Sequence, residues 1–484
     1  MGISHSFPAQ VGPGAAPRWA SALEAAPGVL RGARTDALDS TRGWDAISGA
    51  LAGWFGPEDR GDAPSSSPPL RYFTDMILLK LKPYSDVFYA RSEDGGVTAA
   101  FPGPGATSYL TQKDVAEKLA SVPARQKAGE IWRSNPDSYL GFLRLPDNWW
   151  TDVEPRGIAL GCTVKQHTWL RPVLDDMVGT DAGWTAASLR EDADAFIAER
   201  REATGTFKVQ NDVKVFGQIA IHKQMFGKAL SVGDAQEITD QQTKLTLMST
   251  LPKQVLDVEF VAKGLGLPGA LKFRKKYLAR YGEWLKTSKY AAPPWSLDEA
   301  QLTYLASAAL DAVLFAGGLS VASVISCALA VAYAAESPLP MSAESRTAAV
   351  APQLVWETIR YFPAVVGFPW FEDDTLKQRT ILALAMALRD PRAWGDDAET
   401  FRLRPLADYA RLSVAFADQA VDAEDGTMSR VCPAKEFALV FCVEFVRAMF
   451  AAEAGWAVAE PEKITFEGST PFVSEFVFER AKAP

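Results

Sequence analysis

Histidine is almost missing from this chain: three stand among 484 residues, His5, His167 and His222. A histidine-rich metal centre is thereby excluded. Cysteine is scarce too, with Cys162, Cys327, Cys432 and Cys442 spread over the whole length and no CxxC pair or Cys/His cluster at zinc spacing. No disulfide framework is implied, and free thiols point to a reducing, intracellular compartment. An excess of positive charge is also lacking. The net charge of −9 argues against nucleic acid, because binding a phosphate backbone needs a basic surface. No apolar segment near the N-terminus is long enough for a signal anchor. What the chain does have is apolar bulk, with 48% hydrophobic and 11% aromatic residues against 23% charged, enough for a large globular core.

Residues 1–69 read as a loosely ordered N-terminal segment, since "PEDRGDAPSSSPP" is a Pro/Ser-rich connector. One large domain is expected over 70–484. "MGISHS" fits the myristoylation pattern at Gly2, with Ser6 in place, and a single acyl chain would give only weak peripheral membrane contact. "DVFYAR" and "GVTAAF" read as two strands joined by the turn "SEDGG". From Gln112 to Ala334 helical periodicity dominates, and "KITFEG" and "PFVSEFVFERA" alternate like closing strands. The fold class is mainly α with a smaller β region.

Two helices raise a membrane question. "GALKFRKKYLARYGEWLKTSKY" interleaves aromatics with cations, and its expected state is a core-packed helix with a solvated basic face. Ala312 to Ala334 carries no charge and is long enough to span a bilayer. Its Gly317–Gly318 pair, its serines and its flanking Asp311 and Glu336 favour a helix buried on all faces.

Cys432 stands where the polar "DAEDGTMS" gives way to a long apolar run, with Arg430 two residues before it and Pro433 after it. Pro433 suits the first helical position, and a helix N-terminus favours a thiolate. On position alone, a lone cysteine reads as a small buried hydrophobe. Upstream, His167 and Arg171 are four apart on one helix face and could clamp an anion. Glu357 and Arg360, three apart in apolar sequence, could form a buried pair that requires a third partner.

The order of "HTWLR", "FAGG", "ETIR", "DPRAW…ETFRLRPL" and "SRVCPAKEF" resembles the cytochrome P450 superfamily, usably from about residue 75 to the end. The resemblance implies that family's helix-rich fold, with haem b between the long central helix and the cysteine loop. It implies that Cys432 is the axial iron ligand, and that Arg430, His167, Arg171 and Lys435 serve cofactor binding. Glu357 and Arg360 are implied as the core-locking pair, completed by a downstream arginine, Arg402 or Arg404 of "FRLRPL". The usual phenylalanine and two glycines around the ligand are replaced by Asp425, Met428 and Ala434. "CPAKEF", "FAGG" and "ETIRYFPAVV" look most like the allene oxide synthase and hydroperoxide lyase branch.

Ordinary monooxygenases of the superfamily carry an acid and an alcohol in the central helix to relay protons. Here Ala316, Gly317 and Gly318 fit that motif, but Leu319 takes the acid position and Ser320 the alcohol position. The resemblance therefore implies an enzyme that rearranges or cleaves fatty-acid hydroperoxides without external dioxygen or reductase. A monooxygenase or peroxygenase on an apolar substrate, with a redox partner, is the alternative. Ser320, Gly317, Gly318 and Leu314 are the candidate catalytic positions, Leu314 standing where the plant enzymes have asparagine. Phe315, Ala316, Val365 and Val366 are candidate pocket residues. The interval from Pro363 to Asp390 is shorter than the family shows, so a hairpin near the substrate channel is expected to be absent.

Overall fold

The computed structural model describes residues 89–91, 97–99, 108–109, 111–127, 164–180, 182–250, 267–311, 313, 318–365, 368–371, 379–382, 384–424, 426, 429–464 and 476–481. The readings for residues 1–69, including Gly2, and for Leu314, Phe315, Ala316, Gly317 and Val366 lie outside them, as do Cys162, Asp425 and Met428.

Helical periodicity becomes a succession of helices: α1 (Gln112–Lys127), α2 (Val164–Val178), α3 (Ala186–Ala203), α4 (Val209–Phe226), α5 (Val232–Thr250), α6 (Leu267–Lys286), α7 (Glu299–Asp311), α8 (Gly318–Tyr333), α9 (Ala351–Tyr361), α10 (Leu384–Ala387), α11 (Pro391–Trp394), α12 (Leu406–Leu412) and α13 (Lys435–Ala452). The charge-free run accounts for α8, where Val321, Ala322, Val324, Ile325 and every residue from Cys327 to Ala332 are buried. Each large aliphatic side chain sealed this way contributes about 1.5–3 kcal/mol. Among the described residues no helix is long and apolar enough to cross a membrane. In α6 the interleaving resolves by face: Phe273, Tyr277, Leu278, Tyr281 and Leu285 are buried, while Lys272 and Lys275 are exposed.

Strands β1 (Tyr89–Arg91) and β2 (Val97–Ala99) pair antiparallel with Tyr89 opposite Ala99, as the "SEDGG" turn implied. β3 (Ser108–Tyr109), β5 (Phe368–Phe371) and β6 (Arg379–Leu382) form a sheet in the order β3-β6-β5, parallel then antiparallel. In the interval after Pro363, β5 and β6 pair as antiparallel strands joined by residues 372–378. β4 (Thr206–Lys208), β7 (Trp456–Val458) and β8 (Val477–Arg480) make a second antiparallel sheet with β8 central. The closing strand at 477–480 pairs with β4 and β7; of "KITFEG", Lys463 ends a 3₁₀ turn and 465–468 lie outside the described residues. β4 gave no strand signal because three residues are too few to show alternation.

The larger core gathers on α13. Phe216 of α4 stacks on Phe441 at 5.2 Å and 13°, and Phe207 of β4 meets Phe445 at 6.2 Å. A second cluster joins Val115, Leu119 and Val122 of α1 to Leu382, Leu388, Trp394, Tyr409 and Leu412, nearly 300 residues away in sequence, with part-buried Val365 packed against it.

His222 is wholly buried on α4, its Nδ1 2.7 Å from the Gln218 carbonyl and its Nε2 hydrogen-bonded to the Tyr281 hydroxyl. Burial lowers its pKa from 6.5 to about 4. The unfolded chain therefore binds a proton that the folded chain refuses. Stability from this site is complete above pH 6.5 and is lost as pH falls toward 4, by about 3 kcal/mol in all. The melting temperature should fall between pH 6.5 and 4 with a shallower slope in His222→Asn.

Candidate functional site

The loop before α13 is built by backbone hydrogen bonds. Cys432 N–H donates to the Phe416 carbonyl at 3.0 Å, Arg430 N–H to Ala420 at 2.8 Å, and Ser429 N–H to Gly426 at 3.1 Å, with Gly426 at φ 77° where only glycine is at ease. Lys435 N–H donates to the Cys432 carbonyl at 3.2 Å, closing a turn in which Pro433 takes the second place. Helix α13 starts only after its N-cap, Ala434. Pro433 is therefore a turn residue and not the first residue of the helix, which begins two positions later than expected.

Cations surround the thiol. Arg171 of α2 donates from one terminal nitrogen to the carbonyls of Val431 at 2.5 Å and Ser429 at 3.2 Å, and from Nε to Asp175 at 2.8 Å. Lys435 Nζ lies 2.7 Å from Asp418. Burial pushes the Cys432 thiol up to about 11, while the Ala434 backbone N–H and the charges of Arg171 and Lys435 pull the other way and Asp418 adds to the rise. Cys432 is part-exposed, whereas Cys327 and Cys442, the other described cysteines, are sealed. A soft ligand that is reachable, on a rigid loop, with positive charge beside it, fits a metal bound from one side by a single thiolate. The described residues contain no cluster of three or more His, Cys, Asp or Glu placed to hold a metal.

The remaining predicted residues fall on two sides. The backbone of His167 lies in α2, one turn before Arg171, and Trp169 beside it packs edge-on against Tyr304 of α7 at 5.5 Å. Arg171 reaches the Cys432 loop directly, an arrangement the i, i+4 spacing alone did not reveal. Ser320 is part-buried on α8. Gly318 is buried where α8 crosses α4, and Gly217 faces it: a Cβ at Gly217 would be 3.9 Å from the Gly318 carbonyl oxygen and 3.7 Å from Val321 Cγ2. A Cβ would fit at Gly217, whereas one at Gly318 would stand 2.1 Å from Gln218 Nε2 and 2.8 Å from the Val313 carbonyl oxygen.

The buried pair is complete. Glu357 and Arg360 are both sealed, and Arg360 binds the carboxylate in bidentate fashion at 2.9 and 2.6 Å while its other N–H groups reach the carbonyls of Leu388, Ala398 and Thr400. The third partner is Arg404, which donates to Glu357 Oε1 at 2.5 Å. Arg402 contributes only its backbone N–H, at 3.0 Å, and sends its side chain to Asp397. Tyr409, which the sequence did not single out, donates to Oε2 at 2.8 Å and stacks on Trp356 at 8°; Trp356 in turn meets Phe416 edge-on at 6.1 Å. Phe416 accepts the Cys432 N–H. The ion cluster and the thiol loop are thus joined through three rings.

No protein-family model and no curated protein matches the sequence. Solved structures do. The chain is similar to CYP109B1 from Bacillus subtilis at TM-score 0.52 and 14% identity, over 81% of this chain and 96% of that one. It is similar to CYP109Q5 from Chondromyces apiculatus at TM-score 0.52 and 15% identity, over 86% and 97%. The cytochrome P450 CREJ, solved with (4-ethylphenyl) dihydrogen phosphate, matches at TM-score 0.54 and 12% identity, over 86% and 97%. This chain has the cytochrome P450 fold. The expected fold class is met: helices dominate and the sheets are small. Identities of this size show the P450 fold alone, so chemistry has to be argued from the residues.

Proposed function

We propose that the chain is a haem-thiolate enzyme in which Cys432 ligates the iron and the bound oxygen–oxygen bond comes from an organic hydroperoxide of an apolar, lipid-like substrate. The observation that carries the haem reading is the part-exposed thiol on a fixed loop, flanked by Arg171 and Lys435, in a chain with the P450 fold. Arg430 and Arg171, with His167 on the same helix as Arg171, would face the carboxylates of the cofactor. Lys435 would hold the loop through Asp418. Thiolate-ligated haem supplies cleavage of O–O bonds when bound.

The peroxide reading rests on Leu319, which leaves the central helix without an acid to deliver protons to bound dioxygen. A ready-made hydroperoxide needs no such relay. Ser320 supports the second reading, a monooxygenase, since its hydroxyl stands where an alcohol relay belongs. Phe315 and Ala316, before α8 in sequence, and Val365 and Val366, after α9, would set the apolar pocket. Product class follows from how that pocket holds the chain.

One experiment separates the readings. The haem-loaded protein is mixed with fatty-acid hydroperoxides of several regiochemistries in the absence of NADPH and reductase. Consumption of the hydroperoxide with an allene oxide, epoxyalcohol or cleaved aldehyde as product is expected. Turnover only with dioxygen, reductase and NADPH would replace it with the monooxygenase reading.

A further inference from the structure

Two cations stand beside the Cys432 thiol, and each is tethered by a carboxylate. Arg171 sends Nε to Asp175 at 2.8 Å, and Lys435 Nζ lies 2.7 Å from Asp418 Oδ1. The tethers differ in depth, since the Asp175 side chain is 46% exposed and that of Asp418 only 13%. Water screens the first; the second acts through protein, where a charge counts for more. Asp418 is also costly to keep. Both its oxygens are sealed without an aligned hydrogen-bond donor among the described residues, so the Lys435 ammonium is what compensates them. Ala417, just before it, has φ 55°, a conformation that residues other than glycine seldom take. Gln419, just after it, is anchored through its side-chain amide to the Ser413 carbonyl at 2.9 Å. Phe416, two residues before Asp418, accepts the Cys432 N–H at 3.0 Å. The segment that carries the acid is therefore hydrogen-bonded to the residue that carries the thiol. Lys435 opens α13, where a helix N-terminus disfavours a cation, and Asp418 offsets that placement. All three charged groups act on the thiol, Arg171 and Lys435 favouring its anion and Asp418 opposing it.

We infer that Asp418 is a positioning residue for the axial ligand, holding the Lys435 ammonium in an ion pair so that the two charges nearly cancel at the Cys432 sulfur. The inference rests on the haem-thiolate reading, and it adds the group that sets how much electron density the sulfur gives. A lone ammonium at this place would draw density from the thiolate, and a lone carboxylate would add to it. Groups one step removed from a metal tune it in this way through its ligand. Neither Asp418 nor Lys435 needs to touch the iron or the substrate.

The test is the midpoint potential of the haem-loaded full chain, followed by its Soret band, for wild type, Asp418→Asn, Lys435→Gln and the double variant. Asp418→Asn leaves the ammonium unopposed and should raise the ratio of ferrous to ferric protein at a given voltage about tenfold, an upward shift of about 59 mV for a one-electron couple. Lys435→Gln should lower that ratio by a similar factor. The double variant should return close to wild type. A role confined to holding the loop would move both single variants the same way and the double variant further. That outcome, or potentials unmoved by either substitution, would overturn the inference and leave the haem reading intact. A wild type that takes up no haem would overturn that reading and this inference together. If Asp418→Asn does not fold, the downward shift in Lys435→Gln decides alone.

Discussion

Cys432→Ser should abolish the long-wavelength Soret band of the ferrous–CO complex and lower haem affinity or turnover by more than about 100-fold, since even removing an outer-shell partner of a metal ligand costs about 10–100-fold. The fold should survive. The loop is held by backbone hydrogen bonds of Cys432, Arg430 and Ser429 and by Arg171 and Lys435, none of which uses the sulfur atom. A change in stability within about 0.5 kcal/mol is therefore expected, by thermal melting of the haem-free proteins. The surroundings also set a pH signature. With its thiol pushed up to about 11, haem-free Cys432 is protonated at neutral pH, and its alkylation should accelerate as pH rises toward that value. Bound iron would replace the proton, so haem loading should release acid and protect Cys432 from alkylation across the same range. A haem-loaded protein in which Cys432 still alkylates freely would remove it as the ligand.

Much of this site was legible because the chemistry demands particular residue types at short spacings. A buried Glu357 must be neutralised, and within apolar sequence Arg360 one turn away is the partner a reader can find. The choice between Arg402 and Arg404 was not legible, because it depends on the path of an irregular loop. There alternate side chains face opposite ways, and Arg404 turns inward while Arg402 remains at the surface with Asp397. Tyr409 was hidden for a related reason, since a tyrosine on a short helix gives no sign of the carboxylate its hydroxyl will meet. The start of α13 was misplaced because proline serves equally well at a helix start and in a turn, and only the Lys435 to Cys432 hydrogen bond distinguishes them. Gln218 had no signal at all. A glutamine within a helical pattern reads as solvated, and its burial becomes visible only once α4 packs against α8, where Gly318 leaves room for its amide.

Glu357→Gln should be the most damaging single substitution in the described structure, at about 3–5 kcal/mol, the usual cost of leaving a buried charge uncompensated. The carboxylate now accepts five hydrogen bonds: two from Arg360, one from Arg404, one from the Arg402 backbone and one from Tyr409. An amide has one acceptor oxygen, carries no charge and would present its NH₂ to at least one of these donors. Two buried guanidinium groups would then share a neutral partner. Arg404→Lys should be milder, because Arg360 still neutralises the acid, but an ammonium cannot reach both Glu357 and the Asp397 carbonyl that Arg404 now holds at 2.8 Å. Tyr409→Phe removes the hydrogen bond to the charged Glu357, worth about 1.5–3 kcal/mol, and the one its hydroxyl accepts from the Arg404 backbone N–H at 3.1 Å, but keeps the stack on Trp356. Chemical denaturation of the three variants should follow that order. Haem loading should decline in the same order, because Trp356 passes the position of Tyr409 to Phe416, whose carbonyl fixes the Cys432 backbone. A Tyr409→Phe protein that loses stability but loads haem fully would show that the rings carry packing alone and that the thiol loop stands without them.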